Sequence, residues 1–360
     1  MSGVVKDIGR EAARAGEPRG AEASRPEASR PGALASSSSS SSDAPAVSVI
    51  MPAYNVAGFI GEALESVFAQ TFKDFEVVVV NDGSPDTPEL ERALAPYRGR
   101  VRYIVQENRG VSAARNAGIR AARGRFVAHL DPDDLWEPGY LEAQLAEFER
   151  DPALDVVYPD ALIFGDAPEA GLRFMDWCRS EGEVTAEALL AQRCHVMCSV
   201  TARRETLLRV GLFDESLRCS EDFDLWLRVL KGGGRVSYQR RVLARYRRRG
   251  GSHTADQAWL TESLLRVLDK AERAYALTPA ELRALEGMRR RARAEAALAE
   301  GKAALLRGDD GRAAALLAEA NAHYKSAKLS AVVLLARSAP WLARLAARAR
   351  ERFSGRGARA

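Results

Sequence analysis

Three carboxylates crowd four positions in Asp131-Pro132-Asp133-Asp134, directly after the apolar run Phe126-Val127-Ala128-His129-Leu130. An apolar run of that length, bounded by turn residues, predicts a buried strand. Carboxylates gathered at its end repel one another unless positive charge lies between them. A hard divalent cation, Mg2+ or Mn2+, takes oxygen ligands and often keeps phosphate oxygens in its shell. The pattern points to a metal and a phosphate-bearing substrate. The structural alternative is a solvated helix start, because Asp favours N-caps, and Asp134 in particular can be only that.

Two further clusters carry polar chemistry at comparable places. Asn81-Asp82-Gly83-Ser84 comes after the apolar run Phe75 to Val80, and Ala53-Tyr54-Asn55 after Val47 to Met51. Asp82 can equally be the cap of an Asp-Gly-Ser turn. Later, Ser220-Glu221-Asp222 places two acids where a helix dipole favours them, a charge pair at a helix start or a functional carboxylate.

The elements that must position these residues alternate. Strands are expected at Val47–Met51, Phe75–Val80, Val101–Val105, Phe126–Leu130 and Val156–Tyr158. Helices are expected at Phe59–Ala69, Pro88–Tyr97, Val111–Ala122 and Pro138–Arg150. Runs apolar on both faces predict a parallel sheet covered by helices on either side. Ligands of such sheets bind beyond the carboxyl ends of the strands, so the three clusters should meet along one edge. Farther on, the stretch from about Thr201 to Lys231 reads as helical, interrupted by Gly211 to Glu215. Val236–Tyr238 and Leu243–Tyr246 read as short strands. After about Asp256 the chain is rich in Ala, Leu and Arg, with a helical hairpin expected over Glu295–Ala322 and its turn at Gly308-Asp309-Asp310-Gly311.

Composition bounds these readings. The 360 residues are 46% hydrophobic with a net charge of +4, a globular balance that does not indicate a nucleic-acid partner. Four cysteines form no disulfide framework, and Cys194-His195 with Cys198 matches no zinc spacing, so buried, reduced thiols of a cytoplasmic protein are expected. Residues 1–44 end in a serine run, Ser36 to Ser42, and read as a disordered low-complexity tail. No signal peptide and no run of roughly 20 apolar residues is visible.

Taken together, Val49-Ile50-Met51-Pro52-Ala53-Tyr54-Asn55, Gln70-Thr71, Asn81-Asp82-Gly83-Ser84-Pro85-Asp86, Asn108 to Asn116 and Asp131-Pro132-Asp133-Asp134 resemble the catalytic core of family-2 glycosyltransferases. Gly211-Leu212-Phe213-Asp214-Glu215 and Glu221 to Arg228 also fit, so the likeness runs over roughly residues 46–250. It departs at Asn81, where the family often has a first Asp, and at Pro132, inside the Asp-x-Asp motif. The resemblance implies an α/β GT-A fold, a Rossmann-like and mostly parallel sheet flanked by helices. The catalytic domain would span 45–255, with a basic α-helical region over 256–360.

The resemblance further implies a nucleotide-sugar donor, with a UDP-sugar favoured, bound by Pro52, Ala53, Tyr54, Asn55, Asp82, Gly83, Ser84, Arg115, Asn116 and Asp131. Asp131, Asp133 and Asp134 would hold the Mn2+ or Mg2+, with His253 as an additional ligand. Asp222 would be the general base of a single, inverting transfer to a hydroxyl of a glycan, lipid-linked or protein acceptor, in polysaccharide or glycoconjugate synthesis. Residue-level alternatives are that Arg115 is a surface charge rather than a nucleotide contact or scaffold residue, Asn116 a polar core group and Trp226 a packing residue. Processive synthases of the family carry transmembrane helices and a Gln-x-x-Arg-Trp motif, and neither is visible here. Two other classes stay in view: a sugar-nucleotide pyrophosphorylase, which would carry a Gly-rich loop where Pro52-Ala53-Tyr54-Asn55 stands, and a non-catalytic nucleotide-sugar-binding scaffold. Arg245, Arg247, Arg248, Arg249 and His253 around Gly250-Gly251 can close over a diphosphate or be a solvated charge run. Leu329 to Arg350 can lie in a bilayer interface at the inner membrane face or pack on the core or a partner.

Overall fold

The computed structural model describes residues 44–197, 199–248 and 257–346. The first half alternates as its apolar runs predict: β1 (Val47–Ala53), α1 (Ile60–Phe68), β2 (Phe75–Asp82), α2 (Thr87–Leu94), β3 (Val101–Gln106), α3 (Val111–Ala121) and β4 (Phe126–His129). All seven residues of β1 and all four of β4 are buried, which is what a strand covered on both faces requires. The strands β3, β2, β1 and β4 lie side by side in parallel. Helix α3 lies against β1 and β2 through Gly118, where a Cβ would come within 2.4 Å of Ile50 Cγ2. Only glycine admits that approach.

Beyond β4 the order changes. Next along the chain are β5 (Leu135–Trp136), α4 (Tyr140–Arg150), β6 (Val156–Gly165), α5 (Phe174–Trp177), α6 (Ala186–Leu190), β7 (Thr201–Arg203), α7 (Arg204–Arg209), α8 (Glu221–Lys231) and β8 (Val236–Arg248). The full sheet runs β3-β2-β1-β4-β7-β6-β8-β5. β7 pairs antiparallel with both β4 and β6, and β5 antiparallel with β8, so the sheet is mixed, with its longer pairings parallel. Residues Thr201–Arg203 form this strand instead of the helix the sequence predicts there, because three residues are too few to show a period. The two short strands expected after Val236 are one thirteen-residue strand. It pairs with a β6 that runs on to Gly165, past the Tyr158 expected to end the series, with register shifts around Asp160. Polar residues in both strands hide this pairing from an apolar-run reading.

Among the described residues α9 (Gln257–Ala274), α10 (Pro279–Arg307), α11 (Asp310–Tyr324) and α12 (Ala327–Ser338) come next, followed by helical residues 340–346. The hairpin expected over Glu295–Ala322 is present, with Gly308 at φ 88° ending α10 and the Asp309 side chain capping α11. Thr278 and Glu281 form a reciprocal capping box that starts α10 well before the expected Glu295. Leu264, Val267, Leu268, Leu285 and Met288 join the main core, whereas Ala304, Leu305, Ala313, Ala314, Ala336 and Ala343 form a separate small cluster. The expected boundary at 255/256 therefore does not divide two cores.

Candidate active site

The ends of β1 and β2 are stitched together. Pro52 and Ala53 are buried, and the chain emerges at Tyr54 and Asn55, both exposed. The Asn55 N–H donates to Ser84 Oγ at 2.6 Å, and the Ser84 N–H donates to Asn81 Oδ1 at 2.8 Å. The Ser84 hydroxyl in turn donates to Asp86, which also accepts the Ala57 N–H at 2.8 Å. Gly83 has φ +61°, and a Cβ there would stand 2.7 Å from the Asn108 nitrogen. Ser84 and Gly83 therefore shape the rim, and Tyr54 is the side chain that it presents to solvent.

Asp82 is almost fully buried. Its Oδ1 accepts from Gln106 Nε2 at 2.7 Å and the Arg109 N–H at 3.0 Å, and its Oδ2 accepts the Gly110 N–H at 2.7 Å. Gly110 precedes the first turn of α3, so this carboxylate fixes the entry to that helix and faces its positive end. A carboxylate has about four acceptor positions, which leaves one on Oδ2. The turn-cap alternative is not what forms: Asn81 accepts the Ser84 N–H of that turn, and Asp82 instead holds the entry to α3, with room for one further donor.

At the next strand end, the Leu130 N–H donates to the Ile50 carbonyl, and the Asp134 N–H closes a turn on the Asp131 carbonyl. The turn leads into β5, and α4 begins only at Tyr140, so the helix-start alternative for Asp131–Asp134 fails. Asp134 is buried and accepts the Arg247 N–H at 2.7 Å. Burial, with the charges of Asp133 and Asp131, raises its carboxyl well above the ordinary range. The Arg247 guanidinium donates to the Asp133 carbonyl and to Glu62, both at 2.7 Å, and lies 4.4 Å from the Phe164 ring centre. The end of β8 thus braces the acidic turn, and one member of the basic run has a structural role. Arg249, Gly250, Gly251 and His253 lie outside the described residues.

The third piece arrives from 90 residues downstream, and a buried arginine delivers it. Arg115 donates to Asp131 Oδ1 at 2.8 Å and to Glu221 Oε1 at 2.7 Å, with its side chain 5% exposed. It also lies near the face of Phe213, against which the buried His129 stands edge-on. Arg115 is a scaffold cation rather than a surface charge. Ser220, at φ 58°, does not cap α8 with its hydroxyl, contrary to the sequence expectation. Three acids in the first turn face the dipole instead. Glu221 holds Arg115, and Asp224 holds Arg228 and Lys270 at 2.8 Å each. Asp222 lies between them, partly exposed, and among the described residues it pairs with no cation and accepts only the Phe223 N–H at 2.7 Å. Among the described residues it is the acid of this turn without a cationic partner.

Asn116 is corrected toward its structural alternative. Both its amide protons are spent, on the Phe213 carbonyl at 2.9 Å and Glu215 Oε1 at 3.0 Å, and its oxygen accepts the Phe213 N–H at 2.9 Å. It clamps the Gly211–Glu215 turn to α3. Trp226 is buried in the core, as the packing alternative has it. Cys178 and Cys194 are buried free thiols, the latter pushed up to about 12 by burial, and Cys198 lies outside the described residues. Sequence reasoning misses Arg247 and Glu221 as braces. Their only signal is membership in charge clusters, which does not say which member turns inward.

Residues 48–198 match the model of glycosyl transferase family 2. This stretch of the chain is similar to that family. The family-2 match agrees with a curated relative, an uncharacterized glycosyltransferase of Rickettsia bellii, 31% identical over 195 residues. That alignment takes in 52% of this chain but only 28% of the relative's length. Among solved structures, S. aureus TarS 1-349 in complex with UDP-GlcNAc superposes with a TM-score of 0.59 at 20% identity, covering 86% of this chain and 92% of that one. The mannosyltransferase PcManGT from Pyrobaculum calidifontis, in complex with GDP-Man and Mn2+, gives 0.54 at 24% identity, covering 84% and 85%. These likenesses show the GT-A fold.

Proposed function

We propose that the protein is an inverting glycosyltransferase that moves one sugar from a nucleoside-diphosphate sugar, with UDP favoured, to a hydroxyl of a glycan, glycolipid or other acceptor. Surface polysaccharide or glycoconjugate synthesis is the setting this reading favours. The observation that carries it is the Arg115 bridge. One buried guanidinium holds the acidic turn after β4 and the first residue of α8, next to an acid with no cationic partner among the described residues. The two similar solved structures hold UDP-GlcNAc and GDP-Man, which supports a nucleotide-sugar donor.

In this reading Tyr54 and the Pro52-Ala53 wall flank the base, and the remaining Oδ2 position of Asp82 accepts from it. Asp222 takes the proton of the acceptor hydroxyl as that oxygen attacks the anomeric carbon. The bond from that carbon to the diphosphate oxygen breaks, and the configuration inverts because attack comes from the opposite face. Such a base contributes about 10²–10⁴-fold in rate.

The residues also suit a divalent cation. Among the described residues no three His, Cys, Asp or Glu side chains enclose a metal by themselves. Yet burial, and after it the charges of the neighbouring Asp133 and Asp131, raises the Asp134 carboxyl. That is the electrostatic setting of an open oxygen site, which a cation relieves and phosphate oxygens complete. Asp131 and Asp133 would hold it, with Asp134 behind them bound to the Arg247 N–H. When bound, Mn2+ or Mg2+ would act as a Lewis acid that neutralises the departing diphosphate. The test is a panel of nucleotide sugars with acceptor and Mn2+: nucleoside diphosphate release is expected, whereas pyrophosphate chemistry or binding without turnover would replace this reading.

A further inference from the structure

Five exposed large apolar side chains fall within one short stretch, residues 334–345. Leu334 is 65% exposed, Trp341 62% and Leu345 61%, with Leu335 and Leu342 somewhat less. The same stretch hides alanine: Ala336 and Ala343 are 2% and 4% exposed, packed in the small cluster with Ala304, Leu305, Ala313 and Ala314. A helix that closes a core does the reverse, turning its large apolar side chains inward. Single exposed leucines are ordinary, but a cluster with a tryptophan marks a contact surface.

Charge indicates what the surface meets. From Lys325 to the C-terminus the sequence has nine Lys or Arg residues against a single acid, Glu351. Among the described ones, Lys325 and Arg337 are exposed. Arg344 differs, because it turns back to pair with Asp310. A second copy of the chain laid on this face would bring two like-charged clusters together. A surface of negative headgroups over an apolar interior satisfies both the leucines and the basic residues. No helix among the described residues is long and apolar enough to cross a membrane, so the contact runs along the surface.

The geometry points to an anionic lipid surface as the occupant of this face. Leu334, Trp341 and Leu345 enter the boundary between headgroups and acyl chains, and Lys325 and Arg337 meet the headgroups. Tryptophan suits that depth, with an apolar ring and one N–H donor. The contact stands independently of the transfer chemistry, although it would hold the site near an acceptor carried on lipid.

The test is co-sedimentation of the full-length chain with phosphatidylcholine vesicles, with and without about one third phosphatidylglycerol. Binding to the anionic vesicles is expected to exceed that to the neutral ones by roughly five-fold or more and to weaken at high salt. The double substitution Trp341→Ser, Leu345→Ser should cut binding by a similar factor, with the circular dichroism spectrum unchanged. Lys325→Glu with Arg337→Glu should remove only the preference for anionic vesicles. Equal sedimentation of parent and variants, or no vesicle binding, overturns the proposal. So does a dimer, seen by light scattering, that the Trp341 and Leu345 substitutions convert to monomer. Nucleoside diphosphate release measured without vesicles reads the catalytic reading separately.

Discussion

The strand-end rim and the terminal helices invert each other's economy. Around β1, β2 and β4 the molecule buries charge: Asp82, Arg115, Asp134, Glu221 and Asp224 are all nearly inaccessible, each with a named partner. At α12 and residues 340–346 it buries alanine and exposes leucine and tryptophan. Buried ions are costly to leave unpaired, so a region that collects them holds its geometry tightly. Exposed apolar groups cost little to the fold when they are changed. The contrast separates a region built to hold side chains in place from one built to meet something else.

The sharpest way to break the comparison is at its centre. Arg115→Met leaves Asp131 and Glu221 without their shared cation, and removing one partner of a buried pair costs about 3–5 kcal/mol. Urea unfolding should show that loss. A change below about 1 kcal/mol would mean that the bridge is incidental.

Gly83→Ala comes next. It forces a side chain into φ +61° with its Cβ 2.7 Å from the Asn108 nitrogen, so about 1–3 kcal/mol is expected, with weaker donor binding. An unchanged melting temperature and unchanged donor affinity would remove Gly83 from the account.

A smaller effect depends on pH. Burial works to raise the Asp214 carboxyl, but hydrogen bonds from Lys270 and Ser216 outweigh it and bring the group down to about 2. A carboxyl depressed by folding stabilises the protein above its unfolded value, near 4, and that stabilisation is lost as pH falls toward 2. Lys270→Met should therefore shrink the acid-side drop in stability by about 1–2 kcal/mol after screening by water. A melting-temperature profile from pH 6 to 2 checks this, and parallel profiles for parent and variant would contradict it.

The smallest stability effect belongs to the other region. Trp341→Ser with Leu345→Ser should move the unfolding free energy by no more than about 0.5 kcal/mol, since neither side chain is buried. A larger loss would mean that this face closes a core, and the contrast with the rim would fail.

The sequence discloses what repeats or clusters. Dense apolar runs mark β1, β2 and β4, and the turn residues after them mark the rim, because burial on both faces leaves few polar positions to confuse the reading. It does not disclose β7, three residues long, or the pairing of β6 with β8, where arginines and tyrosines lie partly open along the strands. Type and spacing do not show how Arg115 and Asn116 are used. Their neighbours Glu221 and Phe213 lie about a hundred residues away, and a contact at that distance leaves no local period. For the same reason the residue type of Asp82 suggests a ligand contact, although its oxygens mostly serve the backbone entering α3.

The central claim is that acid–base work and donor holding reside on different carboxylates of one site. Nucleoside diphosphate release and donor binding, the latter read as a melting-temperature rise with and without Mn2+, should be compared in the parent, Asp222→Asn and Asp133→Ala. Asp222→Asn should keep the donor-induced rise and lose turnover by about 10²–10⁴-fold, and Asp133→Ala should lose the metal-dependent part of the rise. Full turnover in Asp222→Asn, or a metal-dependent rise that survives in Asp133→Ala, would contradict the division of labour.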